Sequence, residues 1–159
     1  MGALFRARYP ELARLADLLG ADDPEDIAQE AFARLIQRQR ALRNQDAALA
    51  YVRSTVCNLV RNRHRHLRAV RLRLVRPRTP GGHDEASSEH AVMLHEDRRE
   101  LLAALAALPP RRREAIVLRY WLDLSEREMA AAMRVSAGTV KSLVSRGLDA
   151  LGQALEGKV

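Results

Sequence analysis

Six side chains between Ser136 and Arg146 are of the types that read nucleic acid. Ser136, Thr139, Lys141, Ser142, Ser145 and Arg146 set short hydroxyl donors and two cations along one segment. A helix carrying such groups can lie in a DNA major groove and hydrogen-bond base edges and phosphates. A second cluster is electrostatic: between Asp46 and Asp84 there is no acid, while Arg61, Arg63, Arg65, Arg68, Arg71, Arg73, Arg76 and Arg78 form a cationic run. A block of one charge sign repels itself unless an anion answers it, which favours a nucleic-acid partner over a merely solvated helix end. Little else could do chemistry. Cys57 is the lone cysteine, which excludes an internal disulfide and a thiolate-rich zinc site. His64, His66, His83, His90 and His95 lack metalloprotease-type spacing. Asp22, Asp23 and Asp26 could suggest a Mg²⁺ site, but they are better explained as a helix start, and nothing pairs them with a base or nucleophile. No catalytic residue, no metal and no cofactor is expected.

The segment that must position the first set reads as two short helices and a tight turn. Ser125 with Glu128 three residues later is a capping box, and Met129, Ala130 and Met133 supply an apolar stripe. Ser136 can cap a second helix in which Val140, Leu143, Val144 and Leu148 recur at helical spacing. This is a helix-turn-helix pattern, although a plain αα-hairpin with a solvated polar face has the same spacing.

The rest of the chain is helical by the same criteria. Leu4, Phe5, Leu12, Leu15, Leu18 and Leu19 outline a first amphipathic helix ended by Gly20. Asp22-Asp23-Pro24-Glu25-Asp26 then offers a cap, a first-turn proline and acids at the positive helix end. Ile27, Ala28, Ala31, Phe32, Leu35 and Ile36 are its expected buried stripe. After a polar connection over 40–45, a third helix is expected from about Asp46 to His66, with Leu49, Val52, Val56, Leu59 and Val60 inward. Pro77, Pro80, Gly81 and Gly82 break the pattern, and a linker is expected from Leu74 to about Ser88. Helix resumes near His90, is interrupted at Leu108-Pro109-Pro110, and returns over Arg111 to Trp121 with Ile116, Val117, Leu118 and Tyr120 as its apolar side. The expected fold class is all-α, two small helical domains joined by a flexible linker, with boundaries at 1–70, 71–92 and 93–157. The 159 residues carry 27 Lys and Arg against 20 Asp and Glu, a formal net charge of +7, which points to a polyanionic partner. No apolar run approaches a membrane span and no signal peptide opens the chain, so the expected location is the cytoplasm, with no membrane partner.

Two stretches together resemble a family. D-D-P-E-D-I-A-Q-E-A-F lies in the first module. In the second, S-x-x-E-x-A is followed by V-S-x-G-T-V-K-S. From Phe5 to Leu155 the chain resembles the extracytoplasmic-function (ECF) sigma factors of the bacterial sigma-70 family, and A-Y-V-R-S-T-V-C-N-L-V-R looks like their actinobacterial branch. The resemblance implies a promoter-specificity subunit without catalysis of its own. Its first domain, region 2, would dock on the clamp helices of the largest catalytic subunit of core RNA polymerase through Asp26, Gln29 and Glu30. It would also capture the −10 element as single strand, through the loop over 40–46 and a face of the third helix bearing Tyr51, Arg53, Asn58, Arg61 and Arg63. The second domain, region 4, would read −35 duplex with the six residues named first and would meet the polymerase flap. An anti-sigma factor is implied as a further partner. Where relatives carry aromatics, this chain has Ile36 and Ala50, which leaves few platforms for base stacking. The competing reading is a stand-alone helix-turn-helix regulator that never engages polymerase; it has no need of the acidic face at Asp26, Gln29 and Glu30.

Overall fold

The computed structural model describes residues 2–73 and 92–157; the expected linker and the outer end of the cationic run lie outside the described residues. Among the described residues there are seven α-helices and no strand: α1 (Gly2–Leu18), α2 (Pro24–Arg38), α3 (Gln45–Arg73), α4 (Val92–Ala107), α5 (Pro110–Ile116), α6 (Glu126–Met133) and α7 (Ala137–Glu156).

The helix ends follow the local chemistry. After α1, Gly20 adopts φ 93°, and the Gly20 and Ala21 amides donate to the carbonyls of Asp17 and Ala16, both at 2.9 Å. Bonds of that pattern close orphan carbonyls around a left-handed residue, where glycine avoids the Cβ penalty. Asp23 caps α2, accepting from the Asp26 amide at 3.1 Å, with Pro24 in the first turn. α3 starts at Gln45 because Asn44 Oδ1 takes the Ala47 amide at 2.8 Å, a cap inside what the sequence presents as a polar connection. It runs to Arg73 rather than stopping near His66, so the inner part of the cationic run is helical.

α1, α2 and α3 pack as a three-helix unit around Leu12, Leu15, Ile27, Leu35, Val52 and Val56, all fully buried. Ile36, expected inward, is 60% exposed. The buried stripe of α2 closes at Leu35, and the next residue lies about 100° further round the helix. In the second half, α7 crosses α5 and α6 over Ala115, Leu118, Met129, Met133 and Val140. The helix expected over Arg111 to Trp121 changes character at Val117. There one π-turn, closed by the Leu122 amide on the Val117 carbonyl (3.3 Å), rotates Tyr120 outward to 59% exposure. The two halves also meet: α3 packs on α6, and one cluster of buried side chains runs from Leu12 through Cys57 to Val140.

Candidate nucleic-acid interface

The helix-turn-helix rests on its caps. Ser125 Oγ accepts the Glu128 amide at 3.1 Å while the Glu128 carboxylate accepts the Ser125 amide at 3.2 Å, so the capping box is complete. That backbone donor, with the Ser125 side chain, holds the Glu128 carboxyl below its ordinary range. α6 ends on Arg134 at φ 57°, and Ser136 starts α7 by accepting the Thr139 amide at 3.1 Å. The two hydroxyls of Ser136 and Thr139 lie 2.9 Å apart. Beyond them Lys141 is 69% exposed, with its ammonium 3.9 Å from Glu126. Ser145 and Arg146 are exposed and Ser142 is half-buried. Five of the six expected residues therefore lie on the first three turns of α7 and the sixth, Ser136, caps it; the opposite side carries buried Val140 and Gly147. At Gly147 α7 sits close against α5: a Cβ there would lie 2.8 Å from Ile116 Cγ1 and 3.3 Å from the Arg112 carbonyl oxygen.

The candidates on α3 are not brought to one face. Tyr51 is half-buried, with the Arg38 guanidinium 5.9 Å from its ring centroid. Arg53 turns to α1 and donates to Glu11 at 3.0 Å. Burial raises the Glu11 carboxyl, but the hydrogen bonds and charge of Arg8 and Arg53 outweigh it and hold the group low. Asn58 is half-buried. Arg63 turns to α2, where it bonds Asp26 and comes within 3.8 Å of Glu30. Arg61 turns to the second half and is 9% exposed. At 100° per residue, positions 53, 61 and 63 fan over about 160° of α3, and each guanidinium answers a different neighbour. Asp26, Gln29 and Glu30 do share a face of α2; Asp26 and Gln29 are exposed, and Glu30 also pairs with Arg34 at 2.9 Å.

Residues 98–151 match the family model for sigma-70, region 4. Across 156 residues the chain is 36% identical to RNA polymerase sigma-E factor of Streptomyces antibioticus, covering 96% of this chain and 83% of the relative. Over 146 residues it is 32% identical to ECF RNA polymerase sigma factor SigC of Mycobacterium tuberculosis, covering 88% and 72%. The chain belongs to the ECF sigma factor family. Its fold is that of the Bartonella quintana sigma factor RpoE, solved in complex with the anti-sigma factor NepR. That similarity has a TM-score of 0.81 at 21% identity and covers 98% of this chain and 96% of the other. CnrH, solved with the cytosolic domain of CnrY, superposes with a TM-score of 0.68 at 22% identity, covering 99% and 88%.

In this sigma factor two further groups of residues emerge. One ties the halves together. Arg61 donates to the carbonyls of Ala132 (2.8 Å) and Met133 (3.3 Å) at the end of α6, and its Nε lies 3.3 Å from Glu114 Oε1. Arg111 bonds Glu114 (2.8 Å) and the Met133 carbonyl (2.6 Å), while Arg113 donates to the Leu18 carbonyl at 2.6 Å. The arginines at 111 and 113, against the dipole at a helix start, thus find partners inside the protein. The other group is apolar. Leu101, Tyr120, Trp121 and Leu148 are exposed and line a groove of about 380 Å³ floored by Ile116 and Val117. Among the described residues no helix is long and apolar enough to cross a membrane.

Proposed function

We propose that this sigma factor directs promoter-specific initiation by holding core RNA polymerase through the α2 face of Asp26, Gln29 and Glu30 while α7 reads −35 duplex. In this reading the first domain, carrying α1–α3, is region 2 and the second, carrying α4–α7, is region 4. Lys141 and Arg146 take phosphates or guanine acceptors, and the short hydroxyls of Ser142 and Ser145 set register. The −10 single strand is held by α3 around Tyr51 and Asn58, with Arg53, Arg61 and Arg63 as phosphate partners once their present contacts are exchanged for DNA. The exposed groove beside Tyr120 and Trp121 suits an apolar helix, from the polymerase flap or from an anti-sigma factor. No catalysis, cofactor or metal enters the reading, and the site of action is the cytoplasm, where the bacterial polymerase works.

The observation that carries the DNA assignment is the capped, solvent-facing start of α7, with Lys141, Ser145 and Arg146 free of buried contacts. It is tested by selecting duplexes from a random library and measuring binding against salt. Lys141→Ala and Arg146→Ala should each weaken binding and lower the log–log salt slope by about 1 if the residue meets phosphate. A slope and sequence preference unchanged in both variants would remove α7 from the DNA interface.

A further inference from the structure

Beyond Arg63 the cationic run of α3 continues without an assigned partner. Arg68 and Arg71 follow His64 by one and two helical turns, so the three stand on one stripe of the helix. Arg113 of α5 faces them, and the four line a cavity of about 290 Å³ beside Gly20. No acid lines this cavity, and among the described residues neither Arg68 nor Arg71 is ion-paired. Earlier on the same helix the pattern is different: Arg53, Arg61 and Arg63 each reach a carboxylate. Like charges set three or four residues apart on a helix repel, so the stripe costs stability unless an anion answers it.

Two of the four groups are already held in place. Arg113 Nε donates to the Leu18 carbonyl at 2.6 Å, which leaves the two terminal nitrogens of its guanidinium for another acceptor. His64 Nε2 lies 3.2 Å from the Gly20 carbonyl oxygen. Gly20 also lets the guanidinium lie close over the backbone, since a Cβ there would be 2.6 Å from Arg113 Nη1. Burial holds Arg113 below its ordinary range despite the attraction of Asp17. A partly desolvated cation with no carboxylate bonded to it gains most from an anion brought to it. The remaining wall is apolar, made by Leu67, Leu108 and Pro110.

We propose that this cavity binds a small polyphosphate anion, its oxygens held by the guanidinium groups of Arg68, Arg71 and Arg113. Guanidinium forks meet phosphate oxygens in pairs, and three forks around one recess match an ion carrying several phosphates. A recess of this size between helices holds a compact ion, whereas a nucleic-acid strand is bound along an open cationic track. Inorganic polyphosphate and the phosphates of a nucleotide share this chemistry; a nucleotide would add its base and ribose against the apolar wall. None of these residues belongs to the α7 or α2 faces assigned to promoter and polymerase, so the site stands apart from that reading.

The test is isothermal titration calorimetry of the full chain with sodium tripolyphosphate at constant ionic strength, which should show one saturable site. Arg68→Ala and Arg71→Ala change exposed side chains of α3 and should each weaken it at least about tenfold. Arg113→Ala should do the same, with circular dichroism confirming that its helices persist. Lys141→Ala and Arg146→Ala remove the same charge from α7 and should leave the affinity unchanged. ATP and GTP form the second arm: tighter binding than tripolyphosphate, with the same dependence on Arg68 and Arg71, identifies a nucleotide, and equal or weaker binding identifies the inorganic ion. Equal weakening by the α3 and α7 variants would reduce the effect to diffuse charge and overturn the site. So would failure to saturate at millimolar tripolyphosphate. Labelled oligo(dT) that binds and loses affinity in Arg68→Ala and Arg71→Ala, while tripolyphosphate does not bind, would assign these arginines to nucleic acid and overturn the proposal too.

Discussion

Replacing Gly147 and Gly152 by alanine is the same chemical change on the same helix, and the structure assigns the two variants different outcomes. Both glycines lie inside α7, where alanine is favoured over glycine by up to ~1 kcal/mol. At Gly152 nothing lies within 4 Å of the added Cβ, so the propensity gain is realised. At Gly147 the Cβ would meet Ile116 Cγ1 at 2.8 Å, Ile116 Cδ1 at 3.0 Å and the Arg112 carbonyl oxygen at 3.3 Å. Carbon pairs rest at about 3.5–4.0 Å, and overpacking of this kind typically costs about 1–3 kcal/mol. Ile116 can swing its terminal methyl, but the backbone oxygen can yield only if α5 moves. The gap between the two variants is therefore about 1–3 kcal/mol, with Gly152→Ala the more stable. Urea denaturation of both, at unchanged m-value, measures it. Truncating the obstacle with Ile116→Ala should make the two changes non-additive, Gly147→Ala becoming cheaper in that background. Equal stabilisation by both alanines would refute the close α5–α7 crossing and the orientation of the DNA-reading helix that depends on it.

Other consequences are local. Ser125→Ala removes the cap of α6 and should cost about 1 kcal/mol by urea denaturation. Arg134→Gly relieves a non-glycine residue at φ 57° and should stabilise by up to about 1 kcal/mol, read as a higher melting temperature. Glu11 titrates below its ordinary value in the folded chain. Its contribution is therefore complete above the unfolded value of 4.5 and is lost as pH falls through the lower folded value; Glu11→Gln should flatten that acid limb of the stability profile. Glu114 has the reverse sign. Its folded value is raised, so its contribution is present below 4.5 and lost as pH climbs through the raised value, and Glu114→Gln should remove that fall.

The helix starts were legible because capping is short-range chemistry: Asp23, Ser125 with Glu128, and Ser136 each bond an amide within three residues. The left-handed stop at Gly20 was legible for the same reason. The placement of Ser136 and of the five candidate residues on α7 was legible because one cap and one apolar stripe fix which side of a helix faces solvent. The partners of Arg53, Arg61 and Arg63 were not, since each answers a different neighbour and those neighbours come from helices distant in sequence. Tyr120 fits an apolar stripe at 3.6 residues per turn, but a single π-turn shifts its phase, and no spacing announces that. Glu114 is the instructive omission. Its register with Val117 and Leu118 puts an acid on a buried stripe, a pattern that signals a buried partner before the partner can be named.

The claim on which the account turns is engagement of polymerase, the feature that separates it from a stand-alone regulator. Purified chain mixed at low micromolar concentration with core bacterial RNA polymerase should co-elute on gel filtration, and Asp26→Arg with Glu30→Arg should abolish co-elution. A wild-type chain that remains folded, free of any inhibitor, and still elutes apart from core polymerase would contradict the account.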